Sequence, residues 1–95
     1  GNHIRDASKD FAIEKINDRK LGIHKKLAYI FRAILVDHPF TDGNKRTAAF
    51  VAFDFADKYG KYVDKDLLLH HILSIAKQNI TNIKNIEWRL KNAIY

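Results

Sequence analysis

The sequence predicts a single all-α domain over residues 1–95. Apolar side chains between Ile23 and Leu35 recur at spacings of three and four, which places them on one stripe of an amphipathic helix. A second apolar run follows Gly43, and helix-capping residues precede two further periodic segments near the C-terminus. Strand alternation is too weak to predict a sheet.

The N-terminal half is predicted to contain two helices before the Asp-Gly turn. Ser8 can cap the first helix, which should end in the turn-prone residues 17–22. The second helix carries the stripe and should be stopped by Pro39, because the residue before a proline is disfavoured in the α region. His38 should therefore lie at the end of this helix or just past it.

The next helix is expected to begin near Asn44 and to run to about Tyr59, with Gly60 as its C-cap. Its residues are apolar nearly all round, which predicts a central buried helix. Residues 61–63 form a short connector for which an extended conformation is one option.

Two more helices complete the prediction. Asp64 or Asp66 should cap a helix that runs to about Gln78, and Asn82 should cap a last helix that includes Ile94. Trp88 and the phenylalanines are interpreted as packing residues.

Composition restricts the class of protein. The chain carries a net charge of +6, which suits a nucleic acid, an anionic nucleotide or an acidic protein as partner. It has no cysteine, no apolar run of the roughly 20 residues that a membrane-spanning helix needs, and no apolar core of a signal peptide at its start. We therefore expect a cytoplasmic protein without disulfides. The chain begins at Gly1 and lacks methionine, which is consistent with trimming at the N-terminus.

The segment 38–47 concentrates chemistry around one glycine, at the point where a helix should begin. Helix N-termini bind phosphate, because unpaired backbone N–H groups and the helix dipole both favour an anion there. Gly43 lets the backbone approach an anion without a Cβ clash, and Lys45 and Arg46 add positive charge. The segment therefore predicts a phosphate-handling site.

The other side chains of this segment suit the same chemistry. Asp42 can hold Mg²⁺ together with substrate phosphates, and the amide of Asn44 can donate to a phosphate oxygen. His38 can take a proton from an incoming hydroxyl at neutral pH. Phe40 is interpreted as a structural anchor that pins the loop. The alternative is purely structural: a common Asp-Gly turn, a capping Asn44 and a surface His38.

These residues resemble the signature of the Fic/Doc family, in its death-on-curing (Doc-like) variant. The family pattern is His, any residue, Phe, any residue, an acidic residue, Gly or Ala, Asn, Gly or Lys, then Arg. The matching positions are His38, Phe40, Asp42, Gly43, Asn44, Lys45 and Arg46. The resemblance extends more weakly over the helix order of the rest of the chain, and it implies a small Fic/Doc-like helical bundle whose motif loop leads into a central helix.

The resemblance also implies a role for each matching residue. It makes His38 the general base, Asp42 the Mg²⁺ ligand, Gly43 and Asn44 the phosphate-cradling loop, and Arg46 a phosphate-binding arginine. ATP or another nucleoside triphosphate is the implied substrate.

Two positions bear on which group is transferred. Most Fic proteins transfer AMP to a protein hydroxyl, and they typically have Gly at the position of Lys45 and a second Arg at the position of Ala49. Both departures resemble Doc, which phosphorylates elongation factor Tu and acts as a toxin held in check by an antitoxin. The sequence therefore favours a Doc-like protein kinase, with AMP transfer as the alternative.

Regulation and target binding follow from the same resemblance. Many Fic proteins carry an inhibitory helix with Ser or Thr, three residues, Glu, then Gly or Asn, and this string does not occur here. Inhibition is therefore expected from an antitoxin protein in trans. The family aligns its target on a flap before the motif, for which residues 17–22, with Leu21 and Gly22, are the candidates.

Two other readings stay open: a basic helical module that binds nucleic acid or protein without catalysis, and an inactive partner with the same fold. The apolar helix after the loop argues against a nucleic-acid groove binder, and the intact His38 and Asp42 argue against inactivity. The remaining histidines show no metal-ligand spacing and are assigned to core or solvent positions.

Overall fold

The computed structural model describes Ile13, residues 21–37 and residues 43–95, and every structural statement below concerns these residues. They fold as a small helical bundle, so the all-α prediction is confirmed. The helices of this part of the chain are α1 (Ile23–Leu35), α2 (Gly43–Lys58), α3 (Lys65–Gln78) and α4 (Ile83–Ala93). Ile13 is helical, while Ser8 and the rest of the predicted first helix lie outside the described residues.

Helix α1 contacts the three other helices, as α3 does, and its largest contact is with α4. Its stripe faces the core as predicted, with Leu27, Phe31 and Leu35 at most 3% exposed, whereas Ile23, Ile30 and Ile34 are half-buried. The helix ends when the backbone N–H groups of Val36 and Asp37 both donate to the carbonyl of Arg32. The helix therefore ends ahead of Pro39, as expected, whereas Pro39 and His38 lie outside the described residues.

Helix α2 corrects the prediction of a helix buried nearly all round. Only its alanine stripe, Ala48, Ala52 and Ala56, is buried, while Phe50 is 62% exposed. The reason is that α2 packs against α1 and α3 alone among the described helices, so its other side has no covering element there. Small side chains at spacings of four residues put the close contact on one side of the helix.

The end of α2 agrees with the sequence. Gly60 adopts a positive φ of 63°, the left-handed conformation that favours glycine. The N–H of Lys61 donates to the carbonyl of Ala56 at 2.8 Å, and the N–H of Gly60 donates to that of Asp57 at 3.4 Å. These two bonds form a Schellman motif, which satisfies carbonyls that the helix end leaves open.

The connector after α2 is extended and pairs with the chain's C-terminus. Tyr62 and Tyr95 exchange both backbone hydrogen bonds, at 2.8 and 2.9 Å, and Val63 forms an isolated antiparallel bridge with Ile94. Ile94 is fully buried but extended, so the predicted continuation of the last helix through this residue is wrong. Its side chain reaches the core from a short paired segment.

The two predicted caps are confirmed. The carboxylate of Asp64 accepts a hydrogen bond from the N–H of Leu67 at 3.1 Å, and the amide oxygen of Asn82 accepts one from the N–H of Asn85 at 2.9 Å. Each bond satisfies a donor that the first helical turn leaves open.

Candidate functional site

The first turn of α2 consists of the residues that the sequence singled out for phosphate binding. The N–H groups at the start of an α-helix lack carbonyl partners within the helix, so a first turn is a place where an anion can bind, and here that turn begins at Gly43. This turn contains no acidic residue, so nothing in it opposes the positive end of the helix dipole. The turn has the electrostatics of an anion site.

Lys45 and Arg46 extend from this turn into solvent. Both residues are exposed, whereas Gly43 and Asn44 are half-buried. Within the described part of the chain, neither cation forms an ion pair with a carboxylate. Their charge is therefore not neutralised by an acid of those residues, which leaves it available for an anion.

Ala49 lies three residues after Arg46, in the second turn of α2. It is half-buried and packs against the hydrophobic core. Its methyl group provides no hydrogen-bond donor, so the first two turns of α2 contain one arginine, Arg46.

Three residues of the sequence prediction lie outside the described residues: His38, Phe40 and Asp42. Their roles as base, anchor and Mg²⁺ ligand stay predictions. Along the chain, Asp42 directly precedes the first residue of α2. Among Ile13, residues 21–37 and residues 43–95, no group of three or more His, Cys, Asp or Glu side chains could hold a metal ion.

The two described residues of the predicted flap precede α1. Leu21 is half-buried and Gly22 is exposed in an extended conformation, where its carbonyl accepts the N–H of Lys26 at 3.1 Å. Gly22 therefore acts as the N-cap residue of α1, without a side-chain cap. Its part in aligning a target stays a prediction.

A groove of about 460 Å³ lies between α1 and α2, and sequence reasoning missed it. It is found toward the start of α1 and the end of α2, which is the opposite end of α2 from Gly43. Its lining combines apolar side chains with two lysines, one aspartate and a tyrosine: Ile23, Lys26, Leu27, Ile30, Val51, Asp54, Phe55, Lys58 and Tyr59. Such a groove results from the packing of two helices, and no local spacing in the sequence marks it.

The described histidines other than His70 have structural partners, as expected. His24 Nε2 lies 2.8 Å from the carbonyl oxygen of Ile94, and the His24 ring meets the edge of Phe55 at 5.7 Å between centroids. His71 is buried, and burial is the main cause that lowers its pKa, followed by the charges of Arg89 and His70. His24 and His71 thus join helices.

Trp88 differs from its predicted packing role, because its side chain is 63% exposed on α4. The buried positions of α4 are taken by Ile86, Leu90 and Ala93, which lie on the opposite side of the helix. The sequence contained the signal, since Trp88 falls outside the spacing of these three residues.

Comparison with known proteins gives one match. The model of the Fic/DOC family matches residues 4–56, which is more than half of the chain and includes the motif segment and most of α2. No curated protein and no solved structure matches the chain significantly. No described helix has the length and apolarity that crossing a bilayer requires.

Proposed function

The chain belongs to the Fic/DOC family, and on that premise we propose that it is a nucleotide-dependent transferase that phosphorylates a Ser or Thr hydroxyl of a target protein. Proteins of this family are typically transferases that use nucleotide substrates. The first turn of α2 supports the proposal, because it contains no acid and presents two exposed cations, Lys45 and Arg46, beside Gly43 at the positive end of the helix dipole.

The roles in the reaction are divided between α2 and the segment that precedes it, residues 38–42. The target's hydroxyl oxygen attacks the γ-phosphorus of ATP, the bond from that phosphorus to the β–γ bridging oxygen breaks, and ADP leaves. His38 accepts the hydroxyl proton. The first turn of α2 and the side chain of Arg46 hold the phosphates and stabilise the charge that builds on them.

The family also implies Mg²⁺, and one residue has the donor chemistry for it. Mg²⁺ is usually held by one or two carboxylates together with substrate phosphates, so a single Asp42 just before the phosphate-binding turn fits this requirement. When bound, the ion neutralises charge on the phosphates. Asp42 would hold and orient it.

Lys45 and Ala49 favour phosphoryl transfer over AMP transfer. A lysine in place of glycine takes up space beside the phosphates and adds a charge there. Ala49 cannot replace the bidentate clamp of an arginine, and its methyl group packs against the core. We therefore place the γ-phosphate at the attacking hydroxyl, and AMP transfer is the second candidate.

The target and the inhibitor of the chain are also proposed from its family. We propose a target similar to elongation factor Tu, a cytoplasmic location, and an antitoxin that inhibits the enzyme in trans. The inhibitory string that other family members carry does not occur within residues 1–95.

The deciding experiment uses ATP labelled separately at the α- and γ-phosphates, incubated with the purified chain, Mg²⁺ and cell lysate. We expect label from the γ-phosphate on protein and none from the α-phosphate. His38→Ala is the control that separates this activity from lysate kinases. Label from the α-phosphate would instead indicate AMP transfer, and no label above the control from either position would refute the transferase proposal and favour a binding module.

A further inference from the structure

We propose that the exposed side of α4 and the adjoining C-terminus form a docking surface for an acidic segment of a partner protein. The surface, named here the aromatic–lysine face, consists of Tyr62, Lys84, Trp88, Lys91 and Tyr95. It shares no residue with the first turn of α2, so it can be tested separately from the transferase proposal.

The three aromatic side chains of this face are unusually accessible. Trp88 and Tyr95 are each 63% exposed and Tyr62 is 75% exposed. The rings of Tyr62 and Tyr95 lie 6.3 Å apart between centroids, and the two backbone hydrogen bonds between these residues hold their Cα atoms in register. The pair is therefore already placed before any partner binds, which lowers the entropic cost of association.

Helix geometry puts the lysines beside the indole. Lys84 precedes Trp88 by four residues and Lys91 follows it by three, so all three side chains leave the same side of α4. The one acid of the helix, Glu87, has a side chain only 17% exposed and lies 3.7 Å from the Lys91 ammonium group. Glu87 offsets one of the two lysine charges, so the α4 part of the face keeps a net charge of +1 beside the indole.

A protein segment with carboxylates is the occupant that fits these groups. Tryptophan and tyrosine dominate protein–protein binding energies, and each adds a polar donor to a large apolar surface. No described residue accepts a hydrogen bond from the Trp88 indole N–H, which a partner's carboxylate or carbonyl can do. Two lysines match the few carboxylates of such a segment.

The same features argue against other occupants. A second copy of the chain would bring Lys84 and Lys91 against their own equivalents, which is repulsive. Nucleic acids are held by many phosphate contacts along a cationic track, and this side of α4 offers only two lysines.

The chain's one tryptophan makes the face directly observable. The probe is a synthetic helical peptide of Glu, Leu and Ala, which contains no aromatic residue, added to the full chain. We expect a blue shift of Trp88 emission, reduced quenching by acrylamide, and weakening of both effects at high salt. The same peptide with Lys in place of Glu should change neither.

Matched variants locate the binding. With a dye-labelled acidic peptide, we expect Lys84→Glu with Lys91→Glu, and separately Trp88→Ala, to weaken binding about tenfold or more, the cost of losing a hot-spot contact. Lys77→Glu on α3 and Phe50→Ala on α2 are the controls, because Lys77 is exposed and Phe50 is 62% exposed outside the face. Circular dichroism shows whether each variant is folded. If Trp88→Ala is unfolded, Trp88→Leu takes its place.

Three results would overturn the proposal: unchanged Trp88 emission with the acidic peptide, equal losses in the face and control variants, or tighter binding of an oligothymidylate than of the peptide. None of these results depends on label transfer from ATP. A failure of the docking surface is therefore distinguishable from a failure of the transferase proposal.

Discussion

Arg89 on α4 donates a hydrogen bond from Nη1 to Nδ1 of the buried His71 on α3, at 2.9 Å. A guanidinium group has no acceptor, so Nδ1 of His71 must be unprotonated and the ring proton of the neutral form resides on Nε2. The amide oxygen of Asn85 accepts a second bond from Arg89 Nε at 2.7 Å, which fixes the guanidinium. The contact between α3 and α4 thus depends on a neutral histidine.

This contact predicts a loss of stability in mild acid. The folded chain holds the pKa of His71 below its ordinary value of 6.5, so the unfolded chain binds a proton more readily. The stabilising effect is fully present above about pH 6.5 and is lost as the pH falls toward the folded pKa, with a slope of at most about 1.4 kcal/mol per pH unit. Urea unfolding at several pH values between 7.5 and 5 measures this change in the free energy of unfolding.

The control variants for this experiment are chosen from the same helix. His71→Gln keeps an acceptor for Arg89 but does not titrate, so its free energy of unfolding should depend less on pH than that of the wild type. His70→Gln, at an exposed position, removes only the smallest of the three causes that lower the His71 pKa and should retain most of the wild-type dependence. Identical pH profiles for wild type and His71→Gln would contradict the assignment.

Two phenylalanines should differ sharply in their contribution to stability. Phe31 is fully buried, so Phe31→Ala removes apolar contacts and opens a cavity, with an expected cost of about 3–5 kcal/mol. Phe50 is 62% exposed, and Phe50→Ala should cost less than about 1 kcal/mol. Chemical denaturation of both variants provides the measurement. Comparable losses would mean that the exposed side of α2 is covered.

His38→Ala should abolish protein labelling while nucleotide binding stays nearly intact, because a general base acts on the acceptor hydroxyl and not on the nucleotide. Label transfer and calorimetric titration with ATP are measured on the same preparation. His70→Ala replaces a histidine outside the motif and should retain full transfer. Undiminished transfer by His38→Ala would contradict the role of His38 as the general base.

Asp42→Ala should weaken the binding of Mg²⁺–ATP, because the ion loses its carboxylate ligand. The Kd for ATP is measured by calorimetry with and without Mg²⁺, and the variant should lose most of the difference between the two values. Asp57→Ala removes an exposed carboxylate at the other end of α2 and should leave the difference unchanged. An unaltered Kd in Asp42→Ala would refute the metal role.

The combination Lys45→Gly and Ala49→Arg should shift labelling from the γ- toward the α-phosphate of ATP. The first change removes volume and charge beside the phosphates, and the second supplies a bidentate phosphate donor. Ala49 is half-buried, so melting curves must show that the variant is folded before its activity is compared. A folded variant that still transfers only the γ-phosphate would show that other residues set the choice.

Much of the fold is already present in local sequence signals. The apolar spacing of α1 predicted which of its side chains are buried, and Gly60, Asp64 and Asn82 predicted helix boundaries. These features depend on neighbours within a few residues, through backbone conformation and single hydrogen bonds. The motif at Gly43–Arg46 is local in the same way, because the positive end of a helix dipole and the side chains of its first turn depend on consecutive residues alone.

Other features depended on which elements meet. Phe50 and Trp88 are as apolar as any core residue, and their exposure results from the absence of a described helix against their sides of α2 and α4. The pairing of Tyr62 with Tyr95 joins segments that are far apart in sequence. The sequence alone determined the described helices and the family motif, and it predicted an anion site at the start of α2. Only tertiary packing decided which apolar faces stay in solvent and that His71 must remain neutral, because burial and long-range hydrogen bonds are properties of the assembled bundle.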